Sequence, residues 1–143
     1  MDILLVEDQR MDIELMLYAL KKSRSPCNIV VMQNGQDALN YLLDDNSENQ
    51  HAGHSWPNLI LLDLKMPGID GHQVLAKIKQ TKHLKQIPVV ILTSSSELKD
   101  RIRCYDSGAN SYMVKPSSYH EFKMLIDKIR EYWLELNTAA EDS

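Results

Sequence analysis

Five short apolar runs punctuate the chain, at residues 3–6, 29–32, 59–62, 89–92 and 112–114. Such runs are too short for most helices. Most are rich in Val, Ile and Leu without alternation, as in strands covered on both faces. Between the runs the apolar period changes. Leu15, Met16, Ala19 and Leu20 fall on one helical face, as do Ala38, Leu39, Leu42 and Leu43, then Val74, Leu75 and Ile78. The clearest case is the last, where Phe122, Leu125, Ile126, Ile129 and Trp133 recur at i, i+3, i+4, i+7 and i+11. Punctuation agrees. Asn34-Gly35 marks the turn before the second helix. Ser96 is a candidate N-cap for the fourth, with Gly108-Ala109-Asn110 as its stop. Ser117 or Ser118 caps the last helix, with Glu121 as the capping-box acid of Ser118. Alternating strand and helix predicts right-handed βαβ crossovers, a parallel sheet and helices on both faces: a (βα)5 three-layer sandwich.

Two stretches break the rhythm. Residues 44–56 are polar and without period, so they read as an extended loop. Its His51 and His54 form H-x-x-H, but no acid or cysteine stands beside them at ligand spacing, so a solvated loop is the expectation. The tail after Leu136 is polar and is expected to fray. The chain thus divides into one domain over 1–137 and a disordered tail over 138–143. The fold is expected to end about where the chain ends, without an effector domain.

Composition narrows the class. With 143 residues, 43% hydrophobic and 25% charged, the chain is long enough for one ordinary globular core. A net charge of −4 and pI near 5.7 disfavour direct nucleic-acid binding. No apolar run approaches the roughly 18 residues of a membrane span. The acidic start lacks the lysines of a signal peptide, so a cytoplasmic location is expected. Cys27 and Cys104 lack metal-ligand or disulfide-framework spacing, so two buried or half-exposed thiols are expected.

In an open parallel sheet, ligands bind beyond the carboxyl ends of the strands, where strand order reverses. The first strand delivers Glu7 and Asp8 there. The third delivers Asp63, the fourth Thr93 to Ser96, and the fifth Lys115 and Pro116. Each alone is an ordinary surface residue, but three acids together repel. Two like charges near 4 Å cost about 4 kcal/mol at an effective dielectric of 20. Such a group implies a cation among them, and the all-oxygen set suits Mg2+ or Mn2+ rather than zinc. With a lysine and a hydroxyl added, the set suits a phosphoryl group. The sequence has no phosphate-binding P-loop, no G-x-G-x-x-G and no G-x-S-x-G elbow. What remains as nucleophile is Asp63, whose carboxylate can accept a phosphoryl group.

At these residues the chain resembles the response-regulator receiver domain, the CheY-like family of two-component signalling. The resemblance rests on ILLVED (3–8), LILLDLKMPGIDG (59–71), PVVILTSS (88–95) and YMVKP (112–116), in that order and spacing. It implies a flavodoxin-like doubly wound sheet with strand order 2-1-3-4-5. It also implies roles for individual residues. Asp63 is the phosphoacceptor. Asp8, Asp63, Glu7 and the backbone carbonyl of Lys65 hold Mg2+. Thr93 and Lys115 bind the phosphoryl oxygens, and Tyr112 is the aromatic switch. Ser94 and Pro116 support the site, the proline following a cis peptide bond. VEDxxxDxxL (6–15), the long loop, LKQIPVVILTSS and the IREYW ending further resemble stand-alone regulators paired with bacterial phytochrome kinases. That implies a sensor histidine kinase as partner and an unidentified downstream protein. The single-domain members of the family suggest output through 97–133, where Tyr105, Tyr119, Tyr132 and Leu136 suggest a homodimer across the fourth helix, fifth strand and fifth helix.

Some residues depart from the pattern or read otherwise. Glu7 is longer by one methylene than the commoner Asp, and Lys65 brings an ammonium two residues after the acceptor. Asp12 reads as a helix-dipole acid of the first turn. His72, His83 and His120 read as surface residues. Two rivals stand beside the phosphoacceptor: a receiver used only as an interaction module, and an aspartyl phosphatase of the haloacid-dehalogenase type. The second should carry D-x-D after the first strand, where this chain has Glu7-Asp8-Gln9.

Overall fold

The computed structural model describes residues 2–22, 27–43 and 56–140. Five strands form one sheet: β1 (Asp2–Val6), β2 (Asn28–Met32), β3 (Leu59–Leu62), β4 (Val89–Thr93) and β5 (Ser111–Val114). They run parallel in the order β2-β1-β3-β4-β5. This is the flavodoxin-like architecture that the sequence implied. The helices are α1 (Arg10–Leu20), α2 (Gly35–Leu43), α3 (Gly71–Gln80), α4 (Leu98–Asp106) and α5 (Tyr119–Arg130). A π-helical segment, Glu131–Leu136, continues α5. The H-x-x-H pair and nearly all of the 44–56 loop lie outside the described residues, as do 141–143 of the tail.

Side chains on a strand alternate faces, so one strand feeds two cores. Leu4, Val6, Ile60, Leu62, Val89 and Ile91 pack against α2, α3 and α4 through Ala38, Leu42, Val74, Leu75, Ile78 and Cys104. Ile3, Leu5, Leu59, Leu61, Val90 and Leu92 pack against α1 and α5 through Ile13, Met16, Leu20, Phe122, Ile126 and Ile129. The central strands β3 and β4 are wholly buried, whereas the edges β2 and β5 are half-exposed. That explains unbroken apolar runs in the middle of the sheet and weaker ones at its rims.

Helix ends mostly follow the predicted chemistry. Asn34 Oδ1 accepts from the Asp37 N–H at 2.8 Å before α2. Gly108, at φ 104°, ends α4 with Ala109 N–H donating to Cys104 O and Gly108 N–H to Tyr105 O, a Schellman pair. Ser118 caps α5 by accepting from the Glu121 N–H at 3.3 Å. Ser96 does not cap α4. The N-cap position falls to Glu97, without a side-chain bond, and the buried Ser95 hydroxyl accepts the Glu97 N–H. Cys27 is half-buried and Cys104 buried, both as free thiols.

Candidate functional site

The strand order reverses between β1 and β3, and the chain leaves both strands there with acids. Glu7 follows Val6, its backbone N–H bonded to Met32 O. Asp63 follows Leu62, its N–H bonded to Val6 O at 3.0 Å. These main-chain bonds extend the ladder by one residue and aim both carboxylates into the same crevice. Glu7, Asp8 and Asp63 each present an oxygen, and the three oxygens lie within 4.8 Å of one another. Glu7 and Asp63 are buried, and Asp8 is half-buried. At that spacing a pair of like charges costs between about 3 and 4 kcal/mol at an effective dielectric of 20.

Lys115 answers part of this charge. Its N–H donates to Thr93 O at 2.7 Å, prolonging the β4–β5 pairing. Its ammonium contacts Glu7 Oε1 closely, lies 2.9 Å from Asp12 Oδ2 and 3.5 Å from Asp63 Oδ2. Burial opposes its charge, but the bond to Glu7 and the field of Asp63 outweigh it and raise the lysine pKa. Glu7 is pushed up to about 9, first by burial, then by its hydrogen bond with Asp63 and the repulsion from it, against the pull of Lys115. One ammonium is too little for this many carboxylates, and the Glu7 pKa rises in response. A cation is the alternative. Glu7 Oε2 and Asp8 Oδ1 are buried with no hydrogen-bond partner. Orphaned oxygens inside a carboxylate cluster, with no nitrogen or sulfur among the donors, fit a hard divalent ion.

The Asp12 reading needs correction. It does sit in the first turn of α1, but its carboxylate is bonded to Lys115 rather than only facing the helix dipole. The signal was present: a helix that follows β1 begins above the ligand edge, so its first-turn residues face the site. His72 also needs correction, for it is buried at the start of α3. Its Nε2 meets Asp100 Oδ1 at 3.0 Å and its Nδ1 lies 3.7 Å from Cys104 Sγ. His72 and Asp100 are 28 residues apart, so nothing in their local pattern announced the pair.

Asp100 gathers the loop after β4. Ser95 Oγ donates to Asp100 Oδ2 at 2.5 Å, and Ser95 N–H donates to Thr93 Oγ1 at 3.3 Å. The half-buried Tyr112 donates its hydroxyl to Ser95 O at 2.9 Å. Thr93 and Tyr112 thus meet at Ser95, a residue the sequence reading passed over, while Ser94 is exposed. The Ser95 bond, then the His72 bond, hold the Asp100 carboxyl below its ordinary pKa. A lowered carboxyl pKa contributes stability above the unfolded value, near 3.9, that is lost as pH falls through the folded one. Asp100→Asn is therefore expected to destabilise the protein at neutral pH, by a margin that shrinks below about pH 4. Urea unfolding of both proteins across pH 3 to 7 measures it; a constant margin rules the charge out.

Lys65 N–H reaches Asp63 Oδ1 at 3.4 Å, while its exposed side chain helps line a cavity of about 420 Å³ with Asp70, Lys99 and Arg103. Pro116 is half-buried beside Lys115. No cis peptide bond occurs among the described residues, so the cis Lys115–Pro116 bond implied by the resemblance is absent. The trans form of an X–Pro bond is favoured by about 0.5–1 kcal/mol, and Lys115 reaches its carboxylates with it.

A doubly wound sheet with buried acids at its switch point, a lysine from the last strand and a hydroxyl from the fourth makes an arrangement suited to binding a phosphoryl group. The response regulator receiver domain model matches residues 3–127, and the chain belongs to that family. It is a two-component signalling protein with a phosphoacceptor function. The chain is 39% identical over 137 residues to the "Probable methanogenesis regulatory protein FilR2" of Methanothrix harundinacea, covering 96% of this chain and 86% of that one. It is 38% identical over 136 residues to response regulator Rcp1 of Synechocystis, covering 95% and 90%. The Mn2+-bound form of Rcp1 matches with TM-score 0.89 over 98% of this chain and 99% of that one, at 37% identity. The phosphorylated cyanobacterial phytochrome response regulator RcpA matches with TM-score 0.90, 38% identity and 98% of each chain. The acid cluster fits a divalent metal site, in keeping with the Mn2+-bound form of this relative.

Proposed function

We propose that Asp63 accepts a phosphoryl group from the phosphohistidine of a sensor histidine kinase. An Asp63 oxygen bonds to phosphorus as the phosphorus–imidazole bond breaks, and the electron pair leaves with the imidazole. The observation that carries this reading is the convergence of Glu7, Asp8, Asp63 and Lys115 at the switch point, with two buried oxygens left unpartnered. Asp8, Asp63, Glu7 and the Lys65 carbonyl would hold the ion, with Mg2+ as the cellular choice. When bound, it supplies positive charge against the phosphoryl oxygens. Lys115 and the Thr93 hydroxyl bind those oxygens from the chain's own side. Pro116 and Ser94 border them. As Thr93 is drawn inward, Tyr112 gives up its bond to Ser95 O and follows.

The added charge of about −2 re-packs the β4–α4 loop, β5 and α5. Output is a contact with another protein, in the cytoplasm where the kinase domain resides; among the described residues no helix is long and apolar enough to cross a membrane. RcpA is named as a phytochrome response regulator, which supports a phytochrome kinase as the donor. Tyr105 on α4, Tyr119 on α5, and Tyr132 and Leu136 on the π-helical continuation are all more than half exposed, which supports a homodimer through the α4–β5–α5 face. Residues 1–137 form the receiver and 138–143 its tail.

Incubation with acetyl phosphate and Mg2+ is expected to place acid-labile phosphate on the chain, and Asp63→Asn is expected to abolish it. Label that persists in Asp63→Asn, or steady turnover of a phosphomonoester, refutes the assignment.

A further inference from the structure

His72 is buried at the start of α3, and nothing in the proposed phosphoryl transfer uses it. Its bonds nevertheless lead to Thr93. The Asp100 carboxylate only accepts hydrogen bonds, so the ring nitrogen 3.0 Å from it, Nε2, carries a hydrogen. In the neutral ring Nδ1 is then an acceptor, and the Cys104 thiol stands 3.7 Å from it. Burial pushes that thiol up to about 11, so it keeps a hydrogen to give. Asp100 divides its two oxygens. Oδ1 takes the His72 hydrogen, and Oδ2 takes that of the Ser95 hydroxyl at 2.5 Å. Buried Ser95 is fixed at three further points. Its Oγ accepts the Glu97 N–H, its carbonyl accepts the Tyr112 hydroxyl, and its N–H donates to Thr93 Oγ1. Thr93 is fully buried, and its Oγ1 has no other hydrogen-bond partner among the described residues. One lone pair is occupied, and the hydroxyl's own hydrogen is left over for a ligand.

We propose that His72 is a positioning residue for Thr93, acting through Asp100 and Ser95 to hold the threonine hydroxyl ready to donate to a phosphoryl oxygen on Asp63. The inference rests on the reading of Asp63 as phosphoacceptor. Asp100 stands in the first turn of α4 with its side chain 19% exposed. Without His72, its Oδ1 has only water to turn to, and its bond to Ser95 loses a fixed direction. The relay crosses from α3 to the β4–α4 loop, so it ties a helix that carries no phosphoryl ligand into the phosphoryl site.

Two substitutions separate the donated hydrogen from the bulk of the ring. His72→Leu fills the space without a donor, and His72→Gln offers an amide N–H in place of Nε2. Calorimetric titration of the whole chain with Mg2+ alone, then with beryllofluoride at saturating Mg2+, reads the metal and phosphoryl halves of the site apart; beryllofluoride is a noncovalent mimic of the phosphoryl group. His72→Leu is expected to bind beryllofluoride about three- to tenfold more weakly than the wild type, the worth of one hydrogen bond, with Mg2+ affinity unchanged. His72→Gln is expected to recover most of that loss. Over Thr93→Ala, His72→Leu is expected to cost nothing further. The relay is overturned by no loss in His72→Leu, by an equal loss of Mg2+ affinity, by His72→Gln as weak as His72→Leu, or by the same loss over Thr93→Ala. In the wild type, NMR of the ring is expected to find the hydrogen on Nε2, in slow exchange with water. A hydrogen on Nδ1 alone overturns the relay even if no variant folds. A wild type that binds no beryllofluoride overturns the phosphoacceptor reading instead.

Discussion

Lys115→Met is expected to lower the unfolding free energy of the metal-free protein by about 3 kcal/mol, and added Mg2+ is expected to restore much of it. The ammonium is the single positive group in contact with Glu7, Asp12 and Asp63 among the described residues. Its removal leaves buried carboxylates facing one another. Breaking a buried pair by deleting one partner costs about 3–5 kcal/mol. The low end applies here because one of the three carboxylates, Asp12, is partly exposed and returns to water when the ammonium is removed. A divalent ion repels nothing in the variant and meets one more unanswered charge than in the wild type. Mg2+ should therefore stabilise Lys115→Met more than it stabilises the parent. Chemical unfolding with chelator and with Mg2+ measures all four values. A loss below about 1 kcal/mol in chelator, the range of exposed pairs, contradicts the buried-pair account.

Gly71→Ala is expected to be of similar size for a reason unrelated to charge. Gly71 opens α3, and its N–H donates to Leu64 O at 2.9 Å. A Cβ there would lie 2.3 Å from Asp63 O and 2.6 Å from Leu64 Cα. Both are backbone atoms that cannot swing aside, so α3 must move off the end of β3 and take the Asp63 peptide with it. A loss of about 3 kcal/mol, the upper range of overpacking, is expected, together with weaker phosphorylation of Asp63. Gly68 supplies the control. It sits in the same connection at φ 77° with nothing within 4 Å of a built Cβ. Gly68→Ala pays only for a left-handed backbone, about 1–2 kcal/mol, and leaves Asp63 where it is. If the two alanine variants unfold at the same urea concentration and accept phosphate equally, close approach at Gly71 is not what matters.

Much of the molecule was legible before folding. Unbroken Val, Ile and Leu runs appear wherever a strand is covered on both faces, as in β3 and β4, so a local count finds them. Strands β1, β2 and β5 were each found with one residue missing at the start, because Asp2, Asn28 and Ser111 are polar and an apolar count begins only after them. Glu7, Asp8, Asp63, Thr93 and Lys115 were legible because a parallel sheet sends every strand's carboxyl end to one edge, whatever lies between.

The partners across that edge were decided by tertiary packing alone. The topology puts Asp12 near the ligand edge, but it carries the same local signature as any first-turn acid; only the packing of Lys115 against α1 makes it a partner of that ammonium. Likewise His72, Asp100 and Cys104 are unremarkable on their own helices, and become a buried network because α3 packs beside α4. Sequence periodicity records which face of an element is covered, since burial acts on each residue separately. It does not record what covers it: a contact between residues 28 or 103 positions apart depends on how far two elements slide along each other, and no single segment carries that information.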